Sequence, residues 1–292
     1  MRNAATAFYE FQILSELYCL VTNFQMLQND KTDDAVAIDE FEIEGELLSR
    51  LDHPNIIKVL GSGVDPRPFL ILERLRDISQ LLDLDKEVTP RKSIFNRGPF
   101  TFSEVLQLAK DLADAINYTH SDVHPDAMII HRDLKPENLG LSASGRLKVY
   151  DFGLCRCVEK RTNQYQTYEM TGNTGSLRYM APEVVLNQKY SEKVDVYSFA
   201  IVIWTIACNK PPFRTFDRTM HLDRVVLNGE RPSFDPTWPP DFVDLLGSCW
   251  QPESDKRPSF SVISTILDDI ISQSKIINKS KSFFNKLSFA KK

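Results

Sequence analysis

Residues 34 to 51 place Ala37, Phe41, Leu48 and Leu51 at spacings of three and four, the apolar stripe of an amphipathic helix. Glu44 falls on the same stripe. A carboxylate aimed into an apolar face needs a partner or a task, because burying it unpaired is costly. His53-Pro54-Asn55 breaks the pattern, after which Ile56 to Leu60 and Phe69 to Leu72 read as strands. Residues 85 to 101 carry Pro90, Gly98, Pro99 and mixed charge, and read as a loop. Ser103 is placed to cap a helix with Val105, Leu108, Ala109, Leu112 and Ile116 on one face. Leu147 and Val149 alternate as in a strand. The longest apolar run, Val196 to Cys208, is interrupted by Tyr197, Ser198 and Thr205. Too short to span a bilayer, it predicts a helix buried in a globular core. Up to about residue 272 the pattern stays mainly helical, punctuated by Pro211-Pro212 and Pro239-Pro240, with no internal repeat. A small strand-rich half holding one helix, followed by a larger helical half, is an α+β arrangement.

The 292 residues are enough for a large shared core. The formal charge of −5 combines six lysines in residues 273 to 292, a stretch without acids, with a body at −11. An acidic body argues against general nucleic-acid binding. Five cysteines, odd in number and without a C-x-x-C pair, suit free thiols in a reducing compartment and hence a cytoplasmic location. Cys155 and Cys157 flank Arg156 and read as small packing residues in preference to a redox or metal pair. Residues 1 to 30 lack the continuous apolar core of a cleavable signal, and no transmembrane segment is expected. From Gln273 onward, lysines interleave with Phe283, Phe284, Leu287 and Phe289. That tail reads as a solvated end, with contact to an anionic membrane surface or a partner as the alternative.

His131-Arg132-Asp133-Leu134-Lys135-Pro136-Glu137-Asn138, followed by Asp151-Phe152-Gly153, brings two carboxylates and a carboxamide at the spacings that phosphoryl transfer needs. With Ala181-Pro182-Glu183 further on, this order resembles the protein kinase family over roughly residues 36 to 272. His53-Pro54-Asn55, Arg178 to Glu183, and Cys249-Trp250 before Arg257-Pro258 are most similar to its tyrosine-kinase-like group. Lys135 and Gly175-Ser176 are similar to the serine/threonine type. The resemblance implies a bilobal fold, with an N-terminal lobe at about 1–73, a C-terminal lobe at about 76–272, and a tail at 273–292. It implies that Asp133 accepts the proton of a protein hydroxyl, that Lys135 steadies the transferred phosphate, and that Asn138 and Asp151 hold Mg2+. Glu44 then belongs to the ATP site, and Leu72, Glu73, Arg74 and Leu75 match the hinge that meets adenine. A hydroxyl at Ser176 touches the catalytic loop, Glu183 and Arg257 form a buried ion pair, and Asp195 braces the loop. Arg132 before Asp133 implies an activating phosphate, placed by an upstream kinase among Thr162, Tyr165, Thr167, Tyr168, Thr171 and Thr174.

The chain departs from that pattern at three places. All 11 glycines lie at Gly45 or later, so no glycine-rich loop precedes the helix, and residues 3 to 30 contain no lysine or arginine. Aligning Tyr18-Cys19-Leu20-Val21 with the family's lysine strand puts Val21 where lysine belongs, and Lys31 reads as a solvated charge at a helix entry. Gly140 stands where the family usually sets an apolar side chain under the adenine. Two functions follow: a kinase that takes its cation from an unusual place, or a pseudokinase acting as a binding or allosteric module.

Overall fold

The computed structural model describes residues 22–26, 35–64, 68–82, 84, 98–163 and 166–289, with side chains described from 41 to 275 within these ranges. The chain divides into two compact units, residues 1–76 with 140–153, and residues 77–139 with 154–292. The early elements are β1 (Thr22–Met26), α1 (Ala35–Arg50), β2 (Val59–Gly63), β3 (Phe69–Glu73), α2 (Ile78–Leu81) and α3 (Phe102–Asn117). Strands β4 (Ala127–Ile130), β5 (Leu139–Leu141), β6 (Leu147–Val149) and β7 (Arg156–Glu159) follow. The remainder is helical: α4 (Pro182–Val185), α5 (Lys193–Cys208), α6 (Arg218–Met220), α7 (Pro240–Cys249) and α8 (Phe260–Phe289). A strand-bearing first half and a helical second half make the fold α+β.

In the first unit β3 is the centre of an antiparallel sheet of order β1-β3-β2, with Phe24 opposite Ile71. Leu70 and Leu72 of β3 are buried while their neighbours are half-exposed, the alternation of a strand with one face on the core. Helix α1 turns Glu44, Gly45 and Leu48 inward. It packs closely because Gly45 has no side chain: a Cβ there would stand 2.9 Å from Leu70 Cδ2. Strand β2 starts later than the apolar pattern suggests. Ile56 and Ile57 instead plug the β5–β6 hairpin, with Ile57 donating its N–H to Val149 O at 2.9 Å and Val149 donating to Asn55 O at 2.9 Å.

In the second unit α3 begins earlier than Ser103. Thr101 is the cap, because Glu104 stands three residues on and closes a reciprocal box: the Thr101 N–H reaches Glu104 Oε2 at 2.7 Å, and the Glu104 N–H reaches Thr101 Oγ1 at 3.3 Å. Val105, Leu108, Ala109, Leu112 and Ile116 are all buried. Helix α5 is buried at every position except Ala207. Two of its hydroxyls bond to backbone carbonyls, Ser198 Oγ to Tyr179 O at 2.8 Å and Thr205 Oγ1 to Ile201 O at 2.8 Å. Arg257, 1% exposed, makes a bidentate pair with Glu183 at 2.6 and 3.0 Å. Helix α8 continues through residue 289, past the point where the charge pattern suggests a solvated end, since residues 260–289 contain neither glycine nor proline to stop it. Among the described residues no helix is long and apolar enough to cross a membrane.

His221 opens a π-helical turn, His221–Leu227, and packs edge-on against Phe213 with ring centroids 5.3 Å apart. Burial, with Arg231 and Arg178 nearby, pushes its pKa down to about 4 from 6.5.

Replacing Arg257 by Met leaves the Glu183 carboxylate buried and unpaired, and should cost about 3–5 kcal/mol. Urea unfolding followed by the fluorescence of Trp204, Trp238 and Trp250 measures this loss, and adding Glu183→Gln should recover part of it. His221 makes the second unit acid-sensitive. Between pH 6.5 and pH 4 the unfolded chain takes up a proton that the folded imidazole refuses, so stability falls as pH falls through that window. His221→Phe should flatten this part of a plot of urea midpoint against pH.

Candidate active site

The loop that follows β4 is held from beneath by Asp195 of α5. This carboxylate is 0% exposed and accepts the N–H of His131 at 2.8 Å on Oδ2 and that of Arg132 at 2.8 Å on Oδ1. His120 Nε2 meets Oδ2 at 2.9 Å. Burial raises the pKa of such a group, but the bond and charge of His120, the charge of His131 and the Arg132 amide outweigh it, and the net direction is down. Arg132 has φ of 68°, a left-handed conformation uncommon outside glycine, kept in place by bonds on either side of it. Its guanidinium reaches Leu154 O at 2.6 Å through Nε, and Thr171 Oγ1 at 3.1 Å and Tyr190 Oη at 3.2 Å through Nη1.

The next residue, Asp133, is 6% exposed, and its two oxygens are fixed from different directions. The Ser176 N–H donates to Oδ1 at 2.9 Å, while Lys135 Nζ at 2.5 Å and Asn138 Nδ2 at 3.2 Å share Oδ2. Asn138 Nδ2 also donates to Asp133 O at 2.8 Å, which fixes the amide's orientation. Ser176 thus meets the loop through its backbone N–H. Gly175 permits the approach: its φ is 98°, and a Cβ there would lie 2.7 Å from Arg132 O and 3.0 Å from Asp133 Oδ1.

In the first unit, Asp151 follows β6 with φ of 62°. The Phe152 N–H donates to Glu44 Oε1 at 2.9 Å, so this carboxylate, 7% exposed, has a backbone donor as one partner. Val21 and Lys31 lie outside the described residues. Leu72 is buried on β3, and the Glu73 carboxylate is committed to Lys148 Nζ at 2.5 Å and to the Lys58 N–H at 2.8 Å. Leu75 faces Gly140: a Cβ at 140 would stand 2.6 Å from Leu75 Cβ and 3.0 Å from its Cδ1. The space that a side chain at 140 would need is filled by Leu75.

Asp133, Lys135 and Asn138 therefore converge in one unit, whereas Glu44, Leu72, Glu73, Leu75 and Asp151 belong to the other. His120 and Tyr190 join the second unit's cluster without having been singled out from sequence, whereas Thr171 was one of six hydroxyls named there as candidates to meet Arg132 once phosphorylated. Glycine at 175, directly before the serine that docks on Asp133, was also a readable signal.

A profile of the protein kinase domain matches residues 21–268. The chain belongs to the protein kinase family. It is 38% identical over 245 residues to the serine/threonine-protein kinase VIK of Arabidopsis thaliana, an alignment covering 82% of this chain and 52% of that protein. It is 35% identical over 231 residues to the serine/threonine/tyrosine-protein kinase HT1 of the same plant, covering 78% and 54%. Against mitogen-activated protein kinase kinase kinase 7 of Drosophila melanogaster it is 35% identical over 250 residues, covering 82% and 34%. Within the family its likeness is to serine/threonine-type kinases of the tyrosine-kinase-like group. The chain spans about half the length of the two plant relatives and a third of the insect one.

Gly140→Ala should destabilise the protein by about 1–3 kcal/mol, as overpacking does. Adding Leu75→Gly removes the opposing Cβ and should restore most of that loss. A double-mutant cycle on thermal unfolding measures the coupling.

Proposed function

We propose that this chain transfers the γ-phosphate of ATP to serine or threonine hydroxyls of proteins, with Asp133 taking the hydroxyl proton. The observation that carries this reading is the Asp133 carboxylate, nearly enclosed and oriented by Ser176, Lys135 and Asn138. An acceptor fixed before the substrate arrives needs no reorganisation during the reaction. Lys135, already on Oδ2, is the cation we assign to the transferred phosphate. In the second unit Asn138 has spent its N–H donors on Asp133, so its amide oxygen is the atom left for a metal, and in the first unit Asp151 is the carboxylate that the kinase reading assigns to one. Hard oxygen donors of this kind suit Mg2+, which would draw charge from the phosphates when bound. Adenine is assigned to the backbone of Glu73 and Leu75, beside buried Leu72, with the Leu75 side chain over Gly140 supplying the apolar floor. Glu44, on the Phe152 amide, is placed behind the phosphates. An odd number of cysteines without a C-x-x-C pair supports a reducing, cytoplasmic setting.

Within the hydroxyl-rich stretch 162–174, Thr171 is exposed and touches Arg132, which favours it as the target of an upstream kinase. A phosphate there would exchange a neutral hydroxyl contact for a charge-assisted one. The reading as a binding module without transfer is favoured by the sequence before Gly45, which holds no glycine, and by residues 3–30, which hold no lysine or arginine.

Phosphate transfer from Mg-ATP to the protein itself and to a generic basic substrate, measured beside Asp133→Asn, decides between the two. The expected result is transfer that falls at least about a hundredfold in the variant. No transfer by folded protein, even after treatment with an upstream kinase, selects the binding module. Complete phosphatase treatment, or Thr171→Ala, should lower turnover, and unchanged turnover in both removes the activating role of Thr171.

A further inference from the structure

A groove of about 520 Å³ lies in the second unit, beside the Asp133 cluster. Ser176 belongs to both: it lines the groove, and its N–H holds Asp133. A chain that brings a hydroxyl to Asp133 therefore runs its neighbouring residues into this groove. Leu82, Leu177, Pro211 and Phe216 give it apolar walls.

His221 is the exception in that lining. It is 2% exposed, and among the described residues neither ring nitrogen has a hydrogen-bond partner. Buried polar groups are nearly always paired, so a buried imidazole lining a groove with both nitrogens unspent marks a place for a bonding group from outside. The ring is neutral at physiological pH, so by choice of tautomer either nitrogen donates to or accepts from a group that reaches it. Arg178 and Arg231 act on the same ring and disfavour an incoming ammonium or guanidinium. A carboxylate would face Glu137 as well as Arg178 on the same lining, so the groove gives it no net charge partner. A carboxamide or hydroxyl carries both a donor and an acceptor and brings no charge.

Resting on the kinase reading above, we propose that His221 determines substrate specificity, taking an uncharged hydrogen-bonding side chain, of Asn, Gln, Ser or Thr, that flanks the acceptor residue of the protein substrate.

The test is equilibrium binding of fluorescein-labelled peptides, followed by anisotropy, with each position flanking a central serine varied among Gln, Ser, Leu, Lys and Glu. One position should favour Gln or Ser over Leu by about 3–10-fold, the worth of a neutral hydrogen bond. That ratio should fall to about one in His221→Phe. A preference for Lys or Glu, a flat profile, a preference that survives in His221→Phe, or no peptide binding overturns the proposal. Should His221→Phe fail to fold, ¹⁵N-histidine labelling of the unsubstituted protein replaces it. Saturation with the Gln or Ser peptide should shift a His221 ring nitrogen toward its hydrogen-bonded value without protonation, and an unmoved or protonated ring is equally fatal. Binding is read without transfer, so an absence of phosphate transfer counts against the kinase reading alone, and a flat profile in an active kinase counts against His221 alone.

Discussion

The carboxylate of Asp195 is the point on which the site rests. It projects from a helix that is buried almost from end to end, at zero exposure, and it survives there as a charge because two backbone amides and an imidazole converge on it. Those amides belong to His131 and Arg132, so the loop that carries Asp133 is tied to the rigid centre of the second unit, and the left-handed backbone at Arg132 is held against its own preference. From Asp133 the dependence passes outward through Ser176 to the groove wall, and through the Arg132 side chain to Thr171 and Tyr190.

The same difficulty, a carboxylate withdrawn from water, is solved elsewhere with different donors. Glu44 takes a backbone amide, Asp133 an amide with an ammonium and a carboxamide, and Glu183 a guanidinium in bidentate geometry. The donors differ in what they leave available. Arg257 closes both oxygens of Glu183 and makes a brace. The donors on Asp133 steady it while leaving a base that a substrate hydroxyl can approach, in the reading we favour.

The parts of this arrangement that were legible in the sequence are those governed by local periodicity or by an unbroken motif. The inward stripe of α1 around Glu44 and Leu48, the buried run of α5, and the residues of the 131–138 loop all fall in this group. Boundaries were less legible where two local signals competed, as at Thr101 and Ser103, where the reciprocal bond with Glu104 decides. Ile56-Ile57 read as strand because a buried plug and a strand share one composition. The partners of Asp195 and Arg132 lie 22 to 75 residues away along the chain, beyond what any periodicity reports. Six hydroxyls between 162 and 174 looked alike until folding set one of them against a guanidinium. His221 carried no signal at all, since its burial and its empty hydrogen-bonding capacity are properties of the packed protein.

Leu75 and Gly140 show one volume of hydrocarbon supplied by a different stretch of backbone. Neither residue can be judged alone: a side chain at 140 collides with Leu75 as it stands, and fits without that strain once position 75 gives up its own. The two positions therefore form a single unit of heredity. Changing 75 before 140 avoids the collision, and the reverse order passes through an overpacked intermediate.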